Sequence, residues 1–359
     1  MRYLVVPSKD TQAWKEFLDS YDWLEKGLSI EKEGDERGIP LSSSFPQEIP
    51  ESLRQFKIVR KEVVKKKIKN YLSYLEELIG VEKFRTFSSL WPHSYDQIGD
   101  IIIIKIPEEI EKFSEQIGDA LLLYHLSFTR VFQDLGVHGK FRVRSVKLIR
   151  GPNNLGGETK VKENGVEFLV DPTKGYYSPR LANERMETLK SAILLKEKLG
   201  RSLNICDAYA GFGPALLPLL KENNLAKFVL ANDLNLRINK ILEDNLIHCN
   251  KHNCTIKIEC LDALNLFRYD EYIGFFDILL VNLPHSTLEH LPFLIRLLNK
   301  NSTSLLRAWC IIENNKLNEL ENHICKIFNT QEYSVSKINI KSTRTYSPTQ
   351  NYVNIEVWL

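Results

Sequence analysis

The sequence predicts an α/β fold, a mostly parallel sheet with an antiparallel C-terminal edge, preceded by smaller α+β domains. Two patterns support this. After residue 181 short apolar runs alternate with helix-length segments, which is the rhythm of β-α units. Before it, segments of period two, such as 142–149 and 166–170, read as half-buried strands. In chain order, a strand at 3–6 and a helix at 12–18 open a small module over 1–70, punctuated near its end by Pro46 and Pro50. A middle domain over 71–180 holds the buried strand 101–106, ended by Pro107, then a helix over 108–126 and the two period-two strands. Its expected form is an antiparallel sheet with helices on one side. From 181 to 359 a helix at 182–199 precedes strands at 203–206, 228–231, 256–259, 278–281 and 307–312. Strands at 335–340 and 352–357, joined by a turn containing Pro348, form the antiparallel edge.

The 359 residues are 43% hydrophobic and 26% charged, which allows a sizeable core. Forty-eight Lys and Arg against 46 Asp and Glu give a net charge of +2. This excludes a polycation or an acidic-tail protein and requires any phosphate binding to be concentrated in patches. Candidate patches are 65–69, 140–150 and 341–344. No run approaches the roughly 18 apolar residues of a membrane span. The N-terminus turns polar too early for a signal peptide. Six cysteines without a CxxC pair suit a reducing cytoplasm, the expected location. His248, Cys249, His252, Cys254 and Cys260 match no standard zinc spacing, and no metal is expected.

The sharpest local signal is Asp207-Ala208-Tyr209-Ala210-Gly211-Phe212-Gly213-Pro214, between an apolar strand and an apolar helix. Glycines there let the backbone turn tightly against a ligand, but the third glycine of the dinucleotide fingerprint and the G-K-[ST] of a triphosphate loop are both missing. The next strand ends in Asn232-Asp233-Leu234-Asn235, and the third is followed by Leu261-Asp262-Ala263. Three polar stations at successive strand ends line the crevice where such sheets bind ligands. This arrangement resembles Rossmann-like class I S-adenosylmethionine-dependent methyltransferases. The resemblance implies that Asp207, Tyr209, Gly211 and Gly213 receive the methionine portion. Asp233 would meet the ribose and Asp262 the adenine, with Leu234 and Asn235 also contacting the cofactor. Asp207 or Asp262 alone is equally well read as a helix N-cap.

After the fourth strand comes Asn282-Leu283-Pro284-His285. An amide that both donates and accepts suits a planar nitrogen heterocycle, beside a proline that fixes the backbone. The motif departs from the N-P-P-aromatic form of amino-group methyltransferases, which argues against an exocyclic amine as target.

Further ordered motifs are Ser94-Tyr95-Asp96-Gln97-Ile98-Gly99-Asp100, Gly139-Lys140-Phe141-Arg142, Glu163-Asn164-Gly165, Tyr177-Ser178-Pro179-Arg180-Leu181, Glu184-Arg185 and Arg344-Thr345-Tyr346-Ser347-Pro348. Together with the glycine turn and Asn282-Leu283-Pro284 they closely resemble the archaeal and eukaryotic tRNA (guanine-37-N1)-methyltransferase family over residues 80–359, and more loosely through Ile39-Pro40-Leu41. The resemblance implies Glu184 as general base, Arg142 balancing charge on guanine O6, and Asn282 and Pro284 beside the base and cofactor. Arg144, Tyr177 and Arg180 would contact substrate, although Tyr177 and Arg180 read better as fasteners between the middle and C-terminal domains. Glu184 alone reads as an ion-pair partner of Arg180 or Lys190. Tyr209 and Phe212 depart from the family's commoner choices and are candidates for tuning cofactor or base fit. The implied partner is tRNA, met at its anticodon loop and, through residues 1–70, at its outer corner, by a monomer. Three alternatives stay open: aminocarboxypropyl transfer in wyosine-type synthesis, additional methylation of 4-demethylwyosine at carbon 7, and non-catalytic RNA binding.

Overall fold

A computed structural model describes residues 1–25, 28, 30–61, 70–138 and 143–359. The expected basic stretch at 65–69, together with Lys140 and Arg142, lies outside the described residues. The chain forms two compact units, Met1–Ser73 and Tyr74–Leu359.

In the first unit, β1 (Arg2–Pro7), α1 (Thr11–Ser20), β2 (Glu31–Glu33), β3 (Glu36–Pro40) and β4 (Lys57–Arg60) build a sheet of order β2-β3-β1-β4, antiparallel throughout. Trp14, Phe17 and Leu18 share one helical face and pack against a core containing Leu4, Val6, Ile39 and Leu53. The helix α2 (Tyr71–Ile79) carries the chain onward.

The second unit starts with α3 (Val81–Thr86), β5 (Tyr95–Ile98), β6 (Ile101–Ile104), α4 (Ser114–Tyr124), β7 (Arg130–His138) and β8 (Val143–Arg150), a sheet of order β5-β6-β7-β8. This sheet is mixed rather than antiparallel, because β6 and β7 run parallel. Parallel neighbours need a long crossover, and the segment carrying α4 supplies it. A separate hairpin, β9 (Thr159–Glu163) and β10 (Val166–Val170), follows.

Beyond it come α5 (Ala182–Leu199), β11 (Leu203–Asp207), α6 (Leu216–Lys221), β12 (Ala226–Asn232), α7 (Asn239–Cys249), β13 (Thr255–Glu259), β14 (Ile278–Val281), α8 (Thr287–Leu294), β15 (Leu305–Glu313), α9 (Leu320–Thr330), β16 (Lys337–Ser347) and β17 (Gln350–Trp358). The seven strands are ordered β13-β12-β11-β14-β15-β17-β16. The first five are parallel, and β17 runs antiparallel to both β15 and β16. One apolar core joins Ile101, Ile103 and Phe132 of the middle sheet to Leu203, Ile205 and Ala231 of the large sheet, so packing is continuous across residue 180. Among the described residues no helix is long and apolar enough to cross a membrane.

Strand order reverses beside β11, whose successor β12 lies on one side and β14 on the other. That switch point is where the carboxyl ends of an open α/β sheet leave a crevice. Leu279, fully buried in β14, packs the floor beneath it. Leu279→Ala is expected to cost about 2–5 kcal/mol of stability, read as a lower urea midpoint at unchanged slope.

Candidate active site

Gly211 and Gly213 adopt φ of +56° and +82°, a region only glycine enters freely, and so turn the chain sharply after β11. The Gly211 amide donates to Asp233 Oδ2 at 2.9 Å, and the Asn235 amide donates to Oδ1 of the same carboxylate at 2.9 Å. The end of β12 is thereby fastened to the glycine turn. Asn232 stitches a third strand end to these two. Its Nδ2 donates to the carbonyls of Ala208 and Leu261, and its Oδ1 accepts from the Leu261 amide. Sequence reasoning gave Asn232 no role, because its partners are fixed only by the order of strands.

Asp207, Asp233 and Asp262 thus sit at three successive strand ends. Asp262 also caps the turn after β13, accepting from the Leu264 amide at 3.1 Å. Both ends of the Asn235 amide are used inside the protein, donating to the Lys174 carbonyl and accepting from the Arg237 amide. The side chain therefore has a structural job. The Leu234 carbonyl accepts from the Cys260 thiol. Tyr209 shares a hydrogen bond with His290 Nδ1 at 2.5 Å. Phe212, in contrast, lies fully buried under Gly175, where an added Cβ would stand 2.8 Å from its ring. It belongs to the core.

Across the switch point Asn282 follows β14. Its Oδ1 accepts from the Tyr352 hydroxyl at 3.1 Å, while the Pro284 carbonyl accepts from the Ile311 amide at 2.8 Å. Glu184, on the first turn of α5, is buried, and its Oε2 accepts from Trp309 Nε1 at 3.2 Å. The Arg307 guanidinium lies 3.6 Å from the same oxygen. Among the described residues Oε1 has no hydrogen-bond partner. Neither expected ion-pair partner engages Glu184: Arg180 is bound to Asp96 at 2.6 Å and Lys190 to Glu187 at 2.8 Å. Tyr352 and Trp309 pack together with Leu181, and since Trp309 donates to Glu184 and Tyr352 to Asn282, one aromatic cluster ties to both polar residues. Both aromatic residues escaped the sequence reading. They come from β15 and β17, whose pairing sets Ile311 opposite Tyr352.

Tyr177 is buried and donates to Glu163 Oε2 at 2.8 Å, and Glu163 is ion-paired with Arg185. The Arg185 guanidinium also stacks over the Tyr177 ring and donates to the Ser178 carbonyl. These contacts fasten the β9–β10 hairpin to the start of α5. Arg144 and Arg180 converge on the two oxygens of Asp96, at 2.9 and 2.6 Å. Arg142 lies outside the described residues.

Burial pushes the Asp207 carboxyl up to about 7, opposed by the Tyr209 amide and reinforced by the Asp233 charge. Burial likewise raises Asp233. Against its ordinary value of 3.8, folded Asp207 binds an extra proton between that value and about 7. Its contribution to stability is therefore full at low pH and lost as pH rises through that window. Asp207→Asn should flatten this dependence and exceed the wild type above about pH 7 by a few kcal/mol, at about 1.4 kcal/mol per unit. Thermal unfolding across a pH series measures it.

Residues 159–305 match the model of the TRM5/TYW2 methyltransferase domain, and residues 76–154 match the TYW2 N-terminal domain. A curated relative, tRNA (guanine(37)-N(1))-methyltransferase Trm5b of Pyrococcus abyssi, is 32% identical over 290 residues, covering 79% of this chain and 78% of the relative. The crystal structure of Trm5b from Pyrococcus abyssi superposes with a TM-score of 0.72 at 26% identity, covering 99% of this chain and 98% of that one. A complex of aTrm5 with tRNALeu shares the fold at a TM-score of 0.63 and 24% identity, covering both chains fully. Identity over most of both lengths, with the same architecture throughout, places this chain in the tRNA (guanine(37)-N(1))-methyltransferase family that carries the TRM5/TYW2 methyltransferase domain.

Proposed function

We propose that this protein transfers the methyl group of S-adenosylmethionine to N1 of guanosine 37 in tRNA. The observation that carries the reading is the half-engaged carboxylate of Glu184, held through Oε2 by Trp309 and Arg307 with Oε1 unpartnered among the described residues, and linked through the Trp309–Tyr352 cluster to Asn282. The glycine turn fits the cofactor, since a Cβ at Gly211 would meet only the Tyr176 carbonyl, at 3.9 Å. In this assignment Asp207, Tyr209, Gly211 and Gly213 hold the methionine portion. Asp233 takes the ribose hydroxyls with the lone pairs its two backbone donors leave free, and Leu234 and Asp262 border the adenine. When bound, the cofactor supplies an electrophilic methyl group on a sulfonium.

The residues of the chain do the rest. Guanine N1 carries a proton and is a poor nucleophile until it leaves. Glu184 Oε1 accepts that proton, while Trp309 and Arg307 keep the carboxylate from turning. Charge released onto O6 is balanced by Arg142, on the strength of the family resemblance alone. Asn282 orients the base, and Pro284, tied to β15 through Ile311, keeps the loop rigid. Arg144 and Arg180, paired on Asp96, are assigned to the RNA. The unit containing residues 1–70 is assigned to the outer corner of tRNA and the middle sheet to the anticodon region. The tRNA complex of a neighbour with the same fold supports a whole tRNA as partner.

The match to the TYW2 N-terminal domain is the observation on the side of a wyosine-type reaction. One experiment separates the two. Purified protein, labelled cofactor and unmodified tRNA with guanosine at 37 should yield 1-methylguanosine by nucleoside mass spectrometry, and an aminocarboxypropyl nucleoside would replace this reading. Glu184→Gln should retain cofactor and tRNA binding while single-turnover methyl transfer falls by roughly 10²–10⁴-fold. Removing residues 1–70 should weaken binding of whole tRNA more than binding of an isolated anticodon stem-loop, measured by filter retention.

A further inference from the structure

Asn282 has a polarity that its sequence motif does not disclose. An amide between strand tip and base can present either its carbonyl oxygen or its N–H₂ group, and the two ends select opposite base edges. Here Oδ1 is occupied by the Tyr352 hydroxyl at 3.1 Å, and Nδ2 has no partner among the described residues. Tyr352 is itself fixed. It is 2% exposed, lies opposite Ile311 in the β15–β17 ladder, and carries the Arg344 guanidinium 4.8 Å above its ring. Burial pushes its phenol far above the ordinary range despite the opposing effect of Arg344, so the hydroxyl keeps its proton and acts as donor. Near the turn of the same hairpin, on β16, the Tyr346 ring meets His285 edge-on, with centroids 5.6 Å apart. Strands β16 and β17 therefore brace the loop after β14 at two points.

We propose that Tyr352 is the positioning residue that holds Asn282 with its N–H₂ end toward the target, so that the site selects a purine edge bearing a carbonyl acceptor over one bearing an amino donor. The inference rests on the reading that the base beside Asn282 is the methylated guanine. A 6-amino group would set donor against donor, whereas guanine O6 completes the pair. Loss of the Tyr352 hydroxyl frees the amide to rotate and to offer Oδ1 to an amino-bearing base.

The test uses the full chain and tRNA transcripts carrying guanosine, inosine, adenosine or 2,6-diaminopurine at position 37. Wild-type protein should use guanosine and inosine and reject the two 6-amino bases by tenfold or more, taking about one hydrogen bond's worth of mismatch. Tyr352→Phe should lower the guanosine-to-adenosine ratio of kcat/KM about tenfold, with melting temperature and cofactor affinity unchanged. In an Asn282→Ala background the same substitution should leave the ratio unmoved, because Tyr352 acts through that amide. A purely structural tyrosine would lower both rates together and leave the ratio as it was. An unchanged ratio in folded Tyr352→Phe, an equal further loss in the Asn282→Ala background, or wild-type use of diaminopurine on a par with guanosine would each overturn the proposal. The last measurement stands even if the variant does not fold. A wild type inactive on guanosine 37 would instead remove the underlying functional reading.

Discussion

A single buried guanidinium organises the side of the large sheet on which Glu184 stands. Arg307, on β15, lies between Glu356 at 2.6 Å and Glu184 at 3.6 Å. Two carboxylates and one cation leave a net negative charge out of water, which is costly unless donors surround it. Ser191 and Trp358 donate to Glu356 at 2.7 and 2.9 Å, Asn339 donates at 3.1 Å, and Trp309 donates to Glu184. Burial would raise the Glu356 carboxyl, but these hydrogen bonds and the Arg307 charge outweigh it and hold it below its usual range. Helix α5 and strands β15, β16 and β17 all contribute, so the network fixes where the first turn of α5, and Glu184 with it, stands over the sheet.

The glycine-turn side follows a different logic. Its acids sit at strand ends and are held by backbone amides rather than by cations. Asp233 joins two strand ends and still has lone pairs to offer, while Asp207 is so deeply buried that its carboxyl titrates near neutrality. Arg144 and Arg180 share Asp96, which pre-aligns two guanidiniums while partly neutralising them.

Much of this was legible in the sequence. Strand β14 ran where its apolar residues placed it, and β11 and β13 began or ended within a residue of expectation. The glycine turn and the stations Asp207, Asp233, Asp262 and Asn282 stood at the predicted strand ends because local turn chemistry marks them. What escaped was non-local. The parallel pairing of β6 with β7 depends on which strand becomes a neighbour, and local periodicity does not encode that. Trp309, Tyr352 and Arg307 lay unremarked inside apolar strands, since their partners are 49 to 125 residues away in the chain. Strand register, together with the packing of α5 on the sheet, brings them to Asn282 and Glu184.

The interposition of β17 between β15 and β16 bears on biogenesis. A ribosome delivers β15 and β16 first, and the sheet edge of β15 stays open until the segment from Gln350 to Trp358 arrives to fill it. A nascent chain therefore carries an uncovered apolar border, the kind of surface that chaperones shield and that pairs wrongly with other chains. The strand that closes this border also brings Tyr352 and Glu356, so covering the edge and supplying the partners of Asn282 and Arg307 happen in one event.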